Sequence, residues 1–352
     1  MLLTLLFACE REVSEHPLPV FDGAALDHAV VWNGFDQAWG YNHRLNAFGD
    51  YVGPVECDGD DCHAELVHSA ASGSGSDTAR WTTRHTRVHA PGASFVQGAT
   101  RFSVEGTEGE TQRLLAREPF PLDGAAGTVV LAGWDVWATG DAERLRALAV
   151  GVGEVEDGAF DVQLTFGTDC DSVECDGGDP GDTSVRYEVV VAWLAVAGDD
   201  LSVTAAEVAK DYAWEADGLP DELSLDALGV AGTLKDRAAG AGASALAFRS
   251  VYVELDDDHH LAEWASRVVP GEGEAFTATL GFKQWNEGTY WNPVSYVEPG
   301  EASVAADVVR LSFAEGCAEP ASVSGELRWR ANGRAAGADA VDVRDVWFGG
   351  CS

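Results

Sequence analysis

The 352-residue sequence predicts an all-β protein of two or three antiparallel β-sandwich repeats with a short helical spacer. Three observations lead there. Runs rich in β-branched and aromatic residues recur along the chain, Gly, Asp and Pro punctuate them closely, and two long stretches repeat at a fixed spacing. Hydrophobic residues make up 46% and charged residues 23%, the balance of a chain that folds around a core.

The strands are read as "TVVLAGWDVWA" (128–138), "AFDVQLTF" (159–166), "RYEVVVAWLAV" (186–196), "ALAFRSVYVEL" (245–255), "AFTATLGF" (275–282) and "SVAADVVRLSF" (303–313). The second of these alternates, with Phe160, Val162, Leu164 and Phe166 on one face and Asp161, Gln163 and Thr165 on the other. A shift of 116 residues superposes Leu145 on Leu261, Phe160 on Phe276, Leu164 on Leu280 and Phe166 on Phe282 without a gap. A fainter third copy is suggested by the similarity of "NHRLNAFGDYV" (42–52) to "AERLRALAVGV" (142–152).

These readings divide the chain into an N-terminal β domain (21–116), a first sandwich (117–200), a spacer (201–240), a second sandwich (241–316) and a tail (317–352). The spacer is expected to be helical. "TAAEVAKDYAW" opens with a capping-box pattern, Thr204 and Glu207, and places Val208 and Tyr212 four apart. The tail reads as a hairpin.

Fifty-nine acidic residues oppose 22 basic ones, a net charge of −37. That surface repels phosphate backbones, which argues against nucleic-acid binding, and suits divalent cations or cationic partners. No apolar run approaches the ~18 residues of a membrane-spanning helix.

The cysteines are Cys9, Cys57, Cys62, Cys170, Cys175, Cys317 and Cys351. "CDGDDC" and "CDSVEC" share the spacing C-x4-C, and Cys317 and Cys351 bracket the tail. Without Cys9, six remain, an even number that fits a disulfide framework in an oxidising compartment. Fifteen pairings are open. Four cysteines could instead hold zinc, but zinc sites usually use C-x2-C pairs and these loops are crowded with carboxylates, so disulfides are preferred.

"LFAC" (6–9) resembles the bacterial lipobox, in which a small residue precedes a cysteine that is lipidated and becomes the first residue. The resemblance implies a signal at 1–9, a lipid on Cys9, a tether over 10–20, and a place in the bacterial cell envelope, at the outer membrane or cell surface. The apolar region is short, and no Lys or Arg precedes it.

"GWDVWATGDAERLRALAVGVGEVEDGAFDVQLTFGTDC", followed by "RYEVVVAWLAVAG", is similar to the H-type lectin domain, and 245–314 echoes it. The likeness is carried by the F-x-V-x-L-x-F strand, the acidic loop after it, and the closing strand ending Trp193, Leu194, Ala195. It implies six-stranded antiparallel sandwiches that bind galactose-type sugars and associate in threes. The long Cys-bearing insert departs from the family, and no sugar-contacting residue is carried over.

Two loops offer chemistry. "GTDCDSVECDGGDPGD" holds Asp169, Asp171, Glu174, Asp176, Asp179 and Asp182, hard oxygen ligands of the kind calcium takes. A solvated, disulfide-stapled loop is the plainer reading. "KQWNEGTYWNP" (283–293) sets Trp285, Tyr290 and Trp291 among Asn286, Glu287 and Asn292. Flat rings stack on pyranose faces while amides and carboxylates fix the hydroxyls, although such rings also cap sandwich cores. "DDDHHLAEW" (256–264) reads as a solvated turn. His85 and His89 sit in an alternating strand, roughly 13 Å apart at ~3.3 Å per residue, and so do not share a metal.

No nucleophile elbow, zinc-protease motif or P-loop is present. The expected function is non-catalytic binding of a glycan or another surface ligand. A scaffolding envelope protein with protein partners, or a carbohydrate-active hydrolase using two carboxylates, are the alternatives.

Overall fold

The computed structural model describes residues 18–38, 45–72, 78–105, 111–122, 127–139, 144–169, 186–214, 229–234, 242–255, 260–285, 300–328 and 341–348. Among these residues there are eighteen strands and no helix, and every strand pairing is antiparallel. In chain order the strands form three sets of six. The first is β1 (His28–Ala38), β2 (Leu45–Asp58), β3 (Asp61–Ser72), β4 (Thr78–His89), β5 (Ala93–Glu105) and β6 (Thr111–Pro119). The second is β7 (Gly127–Thr139), β8 (Arg144–Val152), β9 (Ala159–Asp169), β10 (Arg186–Gly198), β11 (Ser202–Trp214) and β12 (Gly229–Thr233). The third is β13 (Ala243–Leu255), β14 (His260–Pro270), β15 (Ala275–Trp285), β16 (Gly300–Phe313), β17 (Cys317–Arg328) and β18 (Val341–Phe348).

Sheet I runs β18-β3-β2-β7-β10-β5, sheet II β6-β9-β8-β13-β16-β11, and sheet III β12-β15-β14-β1-β4-β17. Replacing each set of strands by the next converts one order into another. The fold is therefore a pseudo-threefold arrangement within one chain. Each sheet serves two sandwich lobes, half in each. In lobe 2, β7-β10-β5 faces β8-β9-β6, with Phe160 against Trp193 (centroids 5.2 Å) and Phe166 against Tyr187 (4.8 Å). That lobe uses six consecutive strands, β5 to β10. Lobe 3 uses β11 to β16 in the same way. Lobe 1 is assembled from both ends of the described chain: β17 adds to β4 and β18 to β3.

Three expectations are corrected by this topology. Among the described residues of the 201–240 spacer there is no helix: β11, where the capping-box pattern lies, and β12 are strands of lobe 3. Thr204, Ala206 and Val208 turn partly inward while Ala205, Glu207 and Ala209 are exposed, so period two displaces the helical pattern once β16 offers a ladder. The tail is not a hairpin, since β17 and β18 lie in different sheets. Nor do linear boundaries at 116/117 and 316/317 describe the lobes, because β5 and β6 belong with lobe 2 and the tail completes lobe 1.

The 116-residue repeat is also a repeat of register. Leu148 pairs with Phe166, and 116 residues later Trp264 pairs with Phe282. The N-terminal strands are a third full copy, displaced by 100 residues at β2. The same bulge recurs at Leu45/Ala47, Leu145/Ala147 and Leu261/Glu263.

The lobes meet on equivalent residues: Phe35, Trp134 and Val251 from the first strands, and Phe48, Leu148 and Trp264 from the second, all fully buried. Trp134 lies 5.1 Å from Phe35, 4.9 Å from Phe48 and 5.0 Å from Trp264, centroid to centroid. Each sheet crosses from lobe to lobe at a pair with one glycine: Gly34–Arg267, Gly133–Tyr51 and Gly151–Ser250. Gly34 and Gly133 have φ of 114° and 113°, beside bulges in β1 and β7. A Cβ at Gly133 would run into the Asp50 carbonyl. In the third crossing the glycine has moved to the partner strand.

Candidate functional site

The structure places the sequence-selected residues unevenly. Trp285 ends β15 and is the register partner of His260, which opens β14. The strand ends that flank 256–259 and 286–299 therefore lie side by side. Asp169 ends β9 opposite Arg144, at the equivalent position of sheet II. Asn286, Glu287, Tyr290, Trp291 and Asn292 lie outside the described residues, as do Asp171, Glu174, Asp176, Asp179 and Asp182. So do Cys9, Cys170, Cys175 and Cys351.

Cys57 and Cys62 form a disulfide across the β2–β3 hairpin, with Cα atoms 4.0 Å apart. On a chain-entropy estimate, closing so short a loop contributes about 2 kcal/mol. Cys317 is disulfide-bonded as well.

Sequence reasoning missed what distinguishes lobe 1. Its interior holds Gln37, Asp50, His68, Trp81, Thr83 and His85, all buried. By register the same positions in lobe 2 are Val136, Val150, Leu164, Val189, Val191 and Trp193. In lobe 3 they are Val253, Ser266, Leu280, Val304, Ala306 and Val308. Apart from Ser266 and the Trp193 indole, the two sister lobes thus fill with hydrocarbon what lobe 1 fills with hydrogen-bonding groups. Asp50 Oδ2 accepts from Trp32 Nε1 (2.9 Å) and Thr83 Oγ1 (2.5 Å). His68 Nδ1 lies 3.5 Å from Asp50 Oδ1, and His85 Nε2 lies 3.9 Å from Oδ2. The His68 ring stacks on Trp81 at 4.4 Å. Both Gln37 amide atoms are buried without a partner, a state that costs free energy unless something answers it. Burial pushes the His85 imidazole down to about 4, with the Asp50 charge opposing the shift.

His89 lies four residues further along β4, and its side chain is 28% exposed where that of His85 is buried. His89 pairs in register with His28, and the two rings stack at 4.1 Å and 11°. Asp27 completes the group, with Oδ1 2.6 Å from His28 Nδ1 and Oδ2 3.5 Å from His89 Nε2. Burial works to raise the Asp27 carboxyl, but the His28 hydrogen bond and the charges of His28 and His89 outweigh it and hold it below its usual value. His28 also lines a small cleft with Phe21, Pro54 and Phe95.

No family model matches the chain, and the searches found neither a curated protein nor a solved structure that matches it.

Proposed function

We propose that the chain is an exported, lipid-anchored surface protein that binds glycans without catalysis, through loops at one end of its lobes. The observation that carries this reading is the His260–Trp285 register pair. It sets the ends of two chemically loaded segments, "DDDHH" and "WNEGTYWN", beside each other on sheet III. A sugar requires aromatic faces together with amide or carboxylate groups, and the two segments carry both residue types. Loops held on a rigid scaffold are where binding function concentrates.

Two further features support it. The β2–β3 disulfide suits an oxidising compartment, consistent with Cys9 as a lipidation site. Three six-stranded antiparallel lobes in one chain also match what the likeness to H-type lectins implies, six-stranded sandwiches grouped in threes. Calcium, held by the carboxylates of 169–182, is the cofactor this reading includes.

A glycan array spanning galactose, GalNAc and polysaccharide sets tests it. Binding is expected for the parent chain, with a loss of roughly tenfold or more in Trp285→Ala and Trp291→Ala, since hot-spot aromatics carry most of such energy. No binding across those sets refutes it, and pull-downs returning only protein partners would favour a scaffolding role.

A further inference from the structure

We propose that Asp27, His28 and His89 form a transition-metal site, taking a borderline divalent ion such as Zn²⁺ or Cu²⁺ on two imidazole nitrogens and one carboxylate oxygen. One ligand atom from each residue lies within 4.8 Å of the other two. Zinc–nitrogen and zinc–oxygen bonds of ~2.0–2.2 Å set tetrahedral ligands roughly 3.3 Å apart. The Asp27 carboxylate presents Oδ1 2.6 Å from His28 Nδ1 and Oδ2 3.5 Å from His89 Nε2, one on either side of that figure. The ion takes the place of the proton now shared by His28 and Asp27.

The backbone fixes the group. His28 and His89 are opposite each other on β1 and β4, and the Asp27 carbonyl accepts from the Ala90 N–H at 3.0 Å. The rings are stacked, so an ion in the plane of His28 is reached when His89 turns about its side-chain torsions. His89 has the room to do so, its side chain being 28% exposed. His28, in contrast, is 6% exposed, and its Nε2 is buried with no hydrogen-bond partner. An Asp–His hydrogen bond alone does not call for the second histidine stacked on the first.

The fold itself does not call for these residues. The positions of His28 and His89 are Gly127 and Ala197 in lobe 2, and Ser244 and Ser312 in lobe 3. A neighbouring group, His28 with Cys57 and Cys62, has its sulfurs in a disulfide and offers no thiolate. The net charge of −37 concentrates cations near the surface in general. Two nitrogen donors then select Zn²⁺ or Cu²⁺ over Ca²⁺, which takes oxygen. Such a site is distinct from the calcium loop proposed above and does not depend on glycan binding.

The test uses the full chain after chelator treatment, with Zn²⁺ titrated calorimetrically in excess Ca²⁺ and Cu²⁺ followed by electron paramagnetic resonance. The expected result is one Zn²⁺ per chain and a Cu²⁺ signal split by two nitrogens. In His89→Ala and His89→Gln, both checked for fold by circular dichroism, Zn²⁺ affinity falls roughly tenfold or more and the signal keeps one nitrogen. Asp27→Asn weakens Zn²⁺ while keeping both nitrogens, and His63→Ala changes neither reading. Failure of stoichiometric Zn²⁺ uptake, or uptake unchanged in the His89 variants, overturns the proposal.

Discussion

Replacing Asp50 by Ala removes the acceptor on which the interior of lobe 1 converges. Two buried donors lose this partner at once, the Trp32 indole N–H at 2.9 Å and the Thr83 hydroxyl at 2.5 Å, the hydroxyl being left with only His85 Nε2 at 3.1 Å. No water can reach them, since Asp50, Trp32 and Thr83 are each fully buried. A buried donor left unmet costs about 1–3 kcal/mol, so the pair costs about 4 kcal/mol. The complementary variant grafts the lobe 2 residues together: Trp32→Leu, Asp50→Val, His68→Leu, Thr83→Val and His85→Trp. Because it removes donors with acceptor, it is expected to stand within about 1 kcal/mol of the parent, or above it. Urea unfolding combined with hydrogen exchange reads both. Protection of β1 and β4 should fall by roughly three decades in Asp50→Ala, with a smaller change in β10, and recover in the graft. A loss under about 1 kcal/mol in the single variant, or a graft as damaged as the single variant, would refute the reasoning.

Acid should weaken lobe 1 through His85. Its folded pKa of about 4 lies below the unfolded 6.5, so the unfolded chain binds the proton more readily. The contribution is complete above pH 6.5 and drains away as pH falls toward 4, about 3 kcal/mol over the window. Unfolding midpoints measured from pH 7.5 to 4 should show that slope, and His85→Val should flatten it. Gly133→Ala forces a Cβ onto a φ of 113° and against the Asp50 carbonyl. A loss of about 3 kcal/mol is expected by thermal unfolding, and a loss under ~1 would mean that the β2–β7 crossing yields easily.

Where burial alternated along a strand, the sequence was legible. Phe160, Val162, Leu164 and Phe166 face the core as their spacing predicts. β11 misled because Ala, Glu and Lys favour helices and an edge strand is half exposed, leaving its period faint. The third copy was visible at 42–52, but Asp50 against Val150 and His68 against Leu164 erase the apolar match further on. Those same mismatches mark the polar interior. His28 and His89 carry no local spacing signal at all, since only strand pairing joins them. The loops chosen for their chemistry were found through composition. Side chains meeting across strands leave no such trace.

Assembling lobe 1 from both ends of the described chain sets an order of events during synthesis. Lobes 2 and 3 hold their six strands within one continuous stretch and can close as it emerges. β4 must wait for β17, its partner across the His89–Cys317 rung, 228 residues downstream. At ~5–20 residues per second that delay is on the order of tens of seconds. Throughout it the outer edges of β3 and β4 stand unpaired, open to any passing strand. β17 and β18 therefore decide whether β3 and β4 are rescued from aggregation.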